Sequence, residues 1–205
     1  FGMKLRIVTQ NVEAGAAAQN RWAALAAAIN DLQPQLVMLQ EVDWLTNPSA
    51  IRAAEWDLGM RLLVAKSRHM PTAIAWDSDR LTLRDSHTDT QHKTWHGYCL
   101  ASFDLTGIDL PCQFVAISAH LNPSSAAAAA IEAQIIGTRA YRHDGLGVIA
   151  GDVNHPPLDD PEPDWTTIQP YNRMARCLPI TSPDDPWRAN TIVGQTLYSG
   201  GFTDV

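Results

Sequence analysis

Four short apolar stretches of this chain end in polar residues, and they fall into two pairs with nearly equal spacing. The ends are Thr9-Gln10-Asn11, Gln40-Glu41, Ala119-His120 and Gly151-Asp152-Val153-Asn154. Within each pair the two apolar stretches flank a helical pattern. A strand, a crossover helix and the next strand of the same sheet run parallel, so Asn11 and Glu41 should emerge at one sheet edge and His120 and Asp152 at another. The spacings, 30 and 32 residues, suit two copies of one unit. If the units pack sheet against sheet, all four polar ends surround a single cleft.

The rest of the pattern fills in around these units. Leu5 to Thr9 reads as a strand. Asn20 is the expected cap of a helix whose Trp22, Leu25, Ala26, Ile29 and Leu32 share a face and which ends at Pro34. Leu36 to Leu39 is continuously apolar, as in a strand covered on both faces. A second helix is expected over 50–59, stopped by Gly59. Strands follow at about 61–66, 72–76 and 81–84, then a hairpin of 97–105 with 111–119 turning at Thr106-Gly107-Ile108-Asp109. Ser124 or Ser125 can cap a helix running to about Arg142, before a strand at 146–150. Beyond Asn154, eight prolines from Pro156 to Pro186 rule out long regular elements and predict a surface excursion, which either shapes access to the cleft or is a solvated connection.

A chain of 205 residues with 45% hydrophobic content, uninterrupted by a linker, predicts one domain over residues 1–205. No apolar run approaches the ~18 residues of a membrane span, and no export signal stands at the amino end, so a soluble cytoplasmic protein is the expectation. In the expected hairpin, pairing Leu105 with Leu110 sets Cys99 opposite Ala116, too far along the strand from Cys112 for a disulfide. Cys99, Cys112 and Cys177 therefore read as three core-filling thiols. A net charge of −7 argues against wrapping duplex DNA, which relies on phosphate neutralisation by basic side chains. It leaves room for a carboxylate-rich metal site whose cation meets the phosphate.

The polar strand ends suit phosphoryl transfer to water on a hard cation. Glu41 is an oxygen ligand of the kind Mg²⁺ takes, since that ion needs only one or two carboxylates and keeps several waters. Asp152 can orient or deprotonate the attacking water. Asn154 can donate to the phosphate as charge develops, and His120 can donate to a phosphate oxygen. Asn11 can support the metal or its water, either as a ligand or through hydrogen bonds.

Taken in order, Thr9-Gln10-Asn11, Leu39-Gln40-Glu41-Val42, Ser118-Ala119-His120-Leu121 and Gly151-Asp152-Val153-Asn154 resemble the signature of the endonuclease/exonuclease/phosphatase superfamily, the DNase I-like proteins. The strand Thr72-Ala73-Ile74-Ala75-Trp76 fits the same order. The resemblance implies an α+β fold, a four-layer α/β/β/α sandwich of two mixed sheets. It also implies Mg²⁺, with Mn²⁺ able to substitute, bound with a substrate phosphate between the sheet edges. Substrates of that family include nucleic acid, nucleotides, inositol phosphates and phospholipid headgroups. Family members usually finish with an aspartate-bearing strand and a Ser-Asp-His triplet, which this sequence lacks. Gly201-Phe202-Thr203-Asp204-Val205 resembles the strand before those elements, so the chain is expected to lack the last strands and to be nearly inactive alone. A non-catalytic binding or regulatory relative is the alternative.

Other residues carry weaker expectations. His69 and His155 are candidates to line the cleft and touch substrate, His155 because it directly follows the Asp-Val-Asn block. His87, His92 and His96, with Asp85 and Asp89, match no metal template and read as a solvated or substrate-facing loop. Trp165 and Trp187, in the proline-rich excursion, are the tryptophans expected nearest a substrate.

Overall fold

A computed structural model describes residues 4–89, 93–143 and 146–205. His92, one of the loop histidines above, lies outside the described residues. Eight strands form two four-stranded sheets among them. The first orders β1 (Ile7–Asn11), β2 (Leu36–Gln40), β4 (Thr72–Trp76) and β3 (Arg61–Ala65), with β1 parallel to β2 and the other pairs antiparallel. The second orders β5 (Leu81–Thr88), β6 (Tyr98–Leu105), β7 (Phe114–His120) and β8 (Leu146–Asp152), where only β7 and β8 are parallel. Both sheets are mixed.

Strand periodicity explains the layers. In β2, Leu36 and Met38 point into the space between the sheets and meet Ile74 and Trp76 of β4, Cys99, Ala101 and Phe103 of β6, and Ala116 of β7. Val37 and Leu39 point the other way, onto Trp22, Ala26 and Ile29 of α1 (Trp22–Asp31) and Ala54 and Leu58 of α2 (Pro48–Leu58). Alternate faces of one strand thus feed two cores, so its run had to be apolar throughout. Leu100, Val115 and Ile117 do the same for the outer face of the second sheet, against Ala129, Ala133 and Ile136 of α3 (Ala126–Ala140) and Val193 of α5 (Ile192–Ser199). The result is an α/β/β/α sandwich, an α+β fold of four layers.

Local signals set several helix ends. Asn47 accepts hydrogen bonds from Ser49 N and Ala50 N, each at 3.0 Å, with Pro48 in the first turn and Gly59 left-handed at φ 63° after the last. Ser125 caps α3 through Ala128 N. Asn20, by contrast, does not cap α1. It is spent on a left-handed turn at φ 57°, and Arg21 holds the cap position without a side-chain bond.

The β6–β7 hairpin also departs from its expected register. Phe103 pairs with Phe114 and Cys99 with Ser118 rather than Ala116, because β7 begins only at Phe114 and the connection is correspondingly longer. Cys99 and Cys177 are buried and free, whereas Cys112, in that connection, is only partly covered. In the proline-rich region a short helix forms, α4 (Pro170–Arg176), and α5 follows that region; neither was foreseen. Residues 201–205 form no strand. Gly201 N and Phe202 N turn back onto Tyr198 O and Leu197 O, and the Phe202 ring packs on Tyr141 with centroids 5.5 Å apart. No helix among the described residues is long and apolar enough to cross a membrane.

Gly151 carries one strict demand of this fold. Its φ is 150°, and a Cβ built there would lie 1.8 Å from the carbonyl oxygen of Ala119 on the neighbouring strand. Backbone cannot swing aside as a side chain can, so β8 would have to leave β7 just before Asp152. Gly151→Ala is expected to destabilise the fold by about 3 kcal/mol, read as a lower urea midpoint. An unchanged midpoint would mean that β8 is not held against β7 as described.

Candidate active site

The register places the four polar strand ends together. Asn11 pairs with Gln40, one residue before Glu41, and His120 pairs directly with Asp152. Because β1 and β2 pack over β8 and β7, both pairs reach the same end of the sandwich. Beneath them the buried Gln40 crosses between sheets, its Nε2 donating to Ser118 Oγ at 3.1 Å while that hydroxyl donates to Leu39 O at 3.1 Å.

A single amide joins the two carboxylates. Asn11 Nδ2 donates to Glu41 Oε1 at 2.9 Å and to Asp152 Oδ2 at 2.9 Å. Its Oδ1 accepts from Glu13 N at 2.9 Å, which fixes the amide with its NH₂ toward the acids. Glu41 Oε2 accepts from Ala14 N at 2.9 Å, and Asp152 Oδ1 from Asn154 N at 2.9 Å. Arg21 holds the loop that presents Ala14, donating to Val12 O at 2.8 Å, Glu13 O at 3.0 Å and Ala14 O at 3.2 Å. Glu41 itself is left-handed, with φ 64°. Such a backbone costs a non-glycine residue roughly 1–3 kcal/mol and is found mostly where a side chain must be aimed.

His120 closes the cluster. Its Nε2 lies 4.0 Å from Glu41 Oε1 and 3.8 Å from Asp152 Oδ2. Burial holds this imidazole below the ordinary histidine value, opposed by the charges of Asp152 and Glu41. One ligand atom from each of Glu41, His120 and Asp152 lies within 4.8 Å of the other two. Two carboxylates held so close, with a neutral amide and a largely neutral imidazole around them, make a donor set that a divalent cation fits. Asn11, oriented with its NH₂ inward, serves here as the bridge between the acids.

The other candidates lie around this centre in different ways. Asn154, also left-handed at φ 59°, donates from Nδ2 to Leu121 O at 3.1 Å and accepts at Oδ1 from Arg176 at 3.3 Å. Only its second N–H is left for a phosphate. His155 is buried, with Nε2 2.8 Å from Asn122 O, and lines the groove next to Asp152. His69 is exposed and joins the centre only through other rings. It stacks on Trp95 and meets His96 edge-on, and His96 stacks on His120 with centroids 3.9 Å apart. His96 is therefore no solvated loop residue. Its burial, with the His120 and His69 imidazoles adding, pushes it down to about 4.

Arg176 and Trp95 were missed as site neighbours, and His96 was missed as a neighbour of His120, having been read within a solvated or substrate-facing loop. Arg176 comes from α4 in the proline-rich excursion, which walls a groove of about 620 Å³ running from Asp152 past Asn154 and Trp165. Trp165 is buried in that wall, while Trp187 lies under Arg173, whose guanidinium carbon is 5.4 Å from its ring centre. No short motif marks any of the three missed residues.

No family model matches the sequence, and no curated protein matches it significantly. Solved structures do. A D. rerio TDP2 complexed with single strand DNA product superposes with a TM-score of 0.59 at 17% identity, over 78% of this chain and 63% of that one. A Bacteroides thetaiotaomicron endonuclease/exonuclease/phosphatase family protein gives 0.57 at 13% identity, over 73% and 63%. The fold is that of the endonuclease/exonuclease/phosphatase proteins. A mannosyl-6-phosphatase from the same bacterium gives 0.55 at 11% identity, over 74% and 66%. The chain thus spans a little under two thirds of the length of each of these structures. At such identities the likeness establishes the DNase I-like fold and leaves the chemistry to be argued from the residues.

Proposed function

We propose that this chain belongs to a divalent-cation-dependent phosphoester hydrolase that uses water as its nucleophile. The observation that carries the reading is the pair of carboxylates, Glu41 and Asp152, each 2.9 Å from the same Asn11 amide nitrogen at the joined ends of two sheets. Two such charges held together without a cation repel, and a fold keeps that arrangement where it serves a site. Oxygen donors favour Mg²⁺, with Mn²⁺ as a substitute. Glu41, with Asp152 beside it, would hold the ion, which would supply positive charge opposite a phosphate in a displacement reaction.

The chain's own groups then divide the remaining work. Asp152 accepts a proton from the attacking water and aims its oxygen at phosphorus, and the bond to the leaving oxygen breaks on the opposite side. His120, with its proton on Nε2, donates to a non-bridging phosphate oxygen. The second N–H of Asn154 and the guanidinium of Arg176 face the groove beside Asp152, where they can hold the rest of the ester. His155 keeps the loop carrying Asn122 against that groove. Among the structural neighbours, a phosphatase and a protein holding a DNA product both handle phosphate esters.

The test is hydrolysis of bis-p-nitrophenyl phosphate with and without Mg²⁺ or Mn²⁺, on the chain and on any longer form of the protein. Turnover that appears with metal and vanishes with EDTA is expected. Metal-independent turnover would sink the reading.

A further inference from the structure

Beside the carboxylates the structure holds a second feature that phosphate chemistry does not use. Trp95, 46% exposed, lies parallel to the His69 ring at 4.6 Å with an interplanar angle of 8°. His69 is 5.8 Å from His96, edge to face, and His96 stacks at 3.9 Å on His120 of the candidate metal centre. A file of flat rings therefore leads from the catalytic cluster to an indole at the surface.

That indole is held in place by unusual means. Trp95 N donates to Glu132 Oε1 at 2.6 Å, and the other oxygen of this carboxylate, on α3, accepts from Asn122 N at 2.7 Å. Thr94, just before it, donates from both N and Oγ1 to Asp89 Oδ2, at 3.0 and 3.1 Å. Glu132 is 6% exposed and Asp89 2%. Burying two carboxylates costs stability that their hydrogen bonds must offset, and a loop needed only as a connection would not require it. The indole they present gains little from burial itself. A rigid, half-exposed aromatic next to a reaction centre is how proteins offer a stacking surface.

We propose that Trp95, backed by the His69 ring stacked against it, seats a nucleobase of the substrate, so that the ester cleaved belongs to a nucleotide or to single-stranded nucleic acid. The inference rests on the reading of Glu41, Asp152 and His120 as the phosphate site. A base has a π-face to lay on the indole, whatever its sequence. A duplex keeps its bases stacked inside and is held through phosphates by basic side chains, which a chain of net charge −7 is ill suited to supply.

Calorimetric titration of the chain in Mg²⁺ with thymidine 5′-phosphate, ribose 5-phosphate and mannose 6-phosphate tests this, because the three share a phosphate and differ in the base. The nucleotide should bind at least about 10-fold tighter than either sugar phosphate, an advantage of the size a stacked base gives. Trp95→Ala should abolish that advantage and Trp95→Phe should keep most of it. An oligothymidylate binding tighter than the mononucleotide supports the proposal too, and names a strand as the substrate. Equal affinity for all three ligands, an advantage that survives Trp95→Ala, or no binding of any would overturn it. Glu41→Gln separates the two readings. It should weaken all three ligands by a common factor, whereas a Trp95-dependent nucleotide advantage with no effect of Glu41→Gln would reject the metal-bound phosphate and leave the base seat standing.

Discussion

Asp152→Asn is expected to lower the proposed metal-dependent rate of phosphoester hydrolysis by about 10³-fold, the usual worth of a positioned general base. Asparagine has the same shape, and its carbonyl oxygen can still accept from Asn154 N, as Oδ1 does now at 2.9 Å. The fold should therefore survive, and the loss should fall on kcat rather than on the urea midpoint. What the substitution removes is the ability to take a proton, together with the hydrogen bond that Oδ2 accepts from Asn11 Nδ2 at 2.9 Å. Comparable losses of rate and of stability would instead mark Asp152 as a residue that merely ties β8 to the loops around it.

Glu41→Gln is expected to act one step earlier, on metal affinity. Glu41 directly follows a fully buried strand of the first sheet, is turned left-handed at φ 64°, and has both oxygens engaged by Asn11 and Ala14. That preparation fixes a full negative charge in one place. An amide there should weaken Mn²⁺ binding by about 100-fold or more, since even outer partners of metal ligands cost 10–100-fold when lost. In thermal unfolding, Mg²⁺ should raise the Tm of the unmodified chain through linkage and leave that of Glu41→Gln nearly unmoved. Equal shifts for both proteins would place the cation elsewhere.

How much of this the sequence disclosed depended on the kind of contact. Asn11, Glu41, His120 and Asp152 could be grouped because parallel strand–helix–strand units carry strand ends to a common edge, and the register of His120 on Asp152 follows from that geometry. Their gathering is thus a consequence of chain order and handedness, both visible in residue patterns. The ring file was hidden for the opposite reason. His96 reaches His120 from the connection between β5 and β6, an encounter of a loop with the end of β7 of which no periodicity speaks. Arg176 likewise arrives from a proline-rich stretch whose path over the surface is set by packing and not by its own propensities. The hairpin register slipped because Gly107 marked a turn while residues after it, up to Gln113, stayed out of the ladder. Residues 201–205 resembled a strand, yet their path is fixed by how α5 ends.

Anomalous diffraction from crystals soaked in Mn²⁺ addresses the metal site without reference to any substrate. A peak between the side chains of Glu41 and Asp152, lost in Glu41→Gln, is the predicted result. A strong peak elsewhere with nothing at those two carboxylates, or one that persists undiminished in Glu41→Gln, would contradict the assignment of this cluster as the catalytic centre.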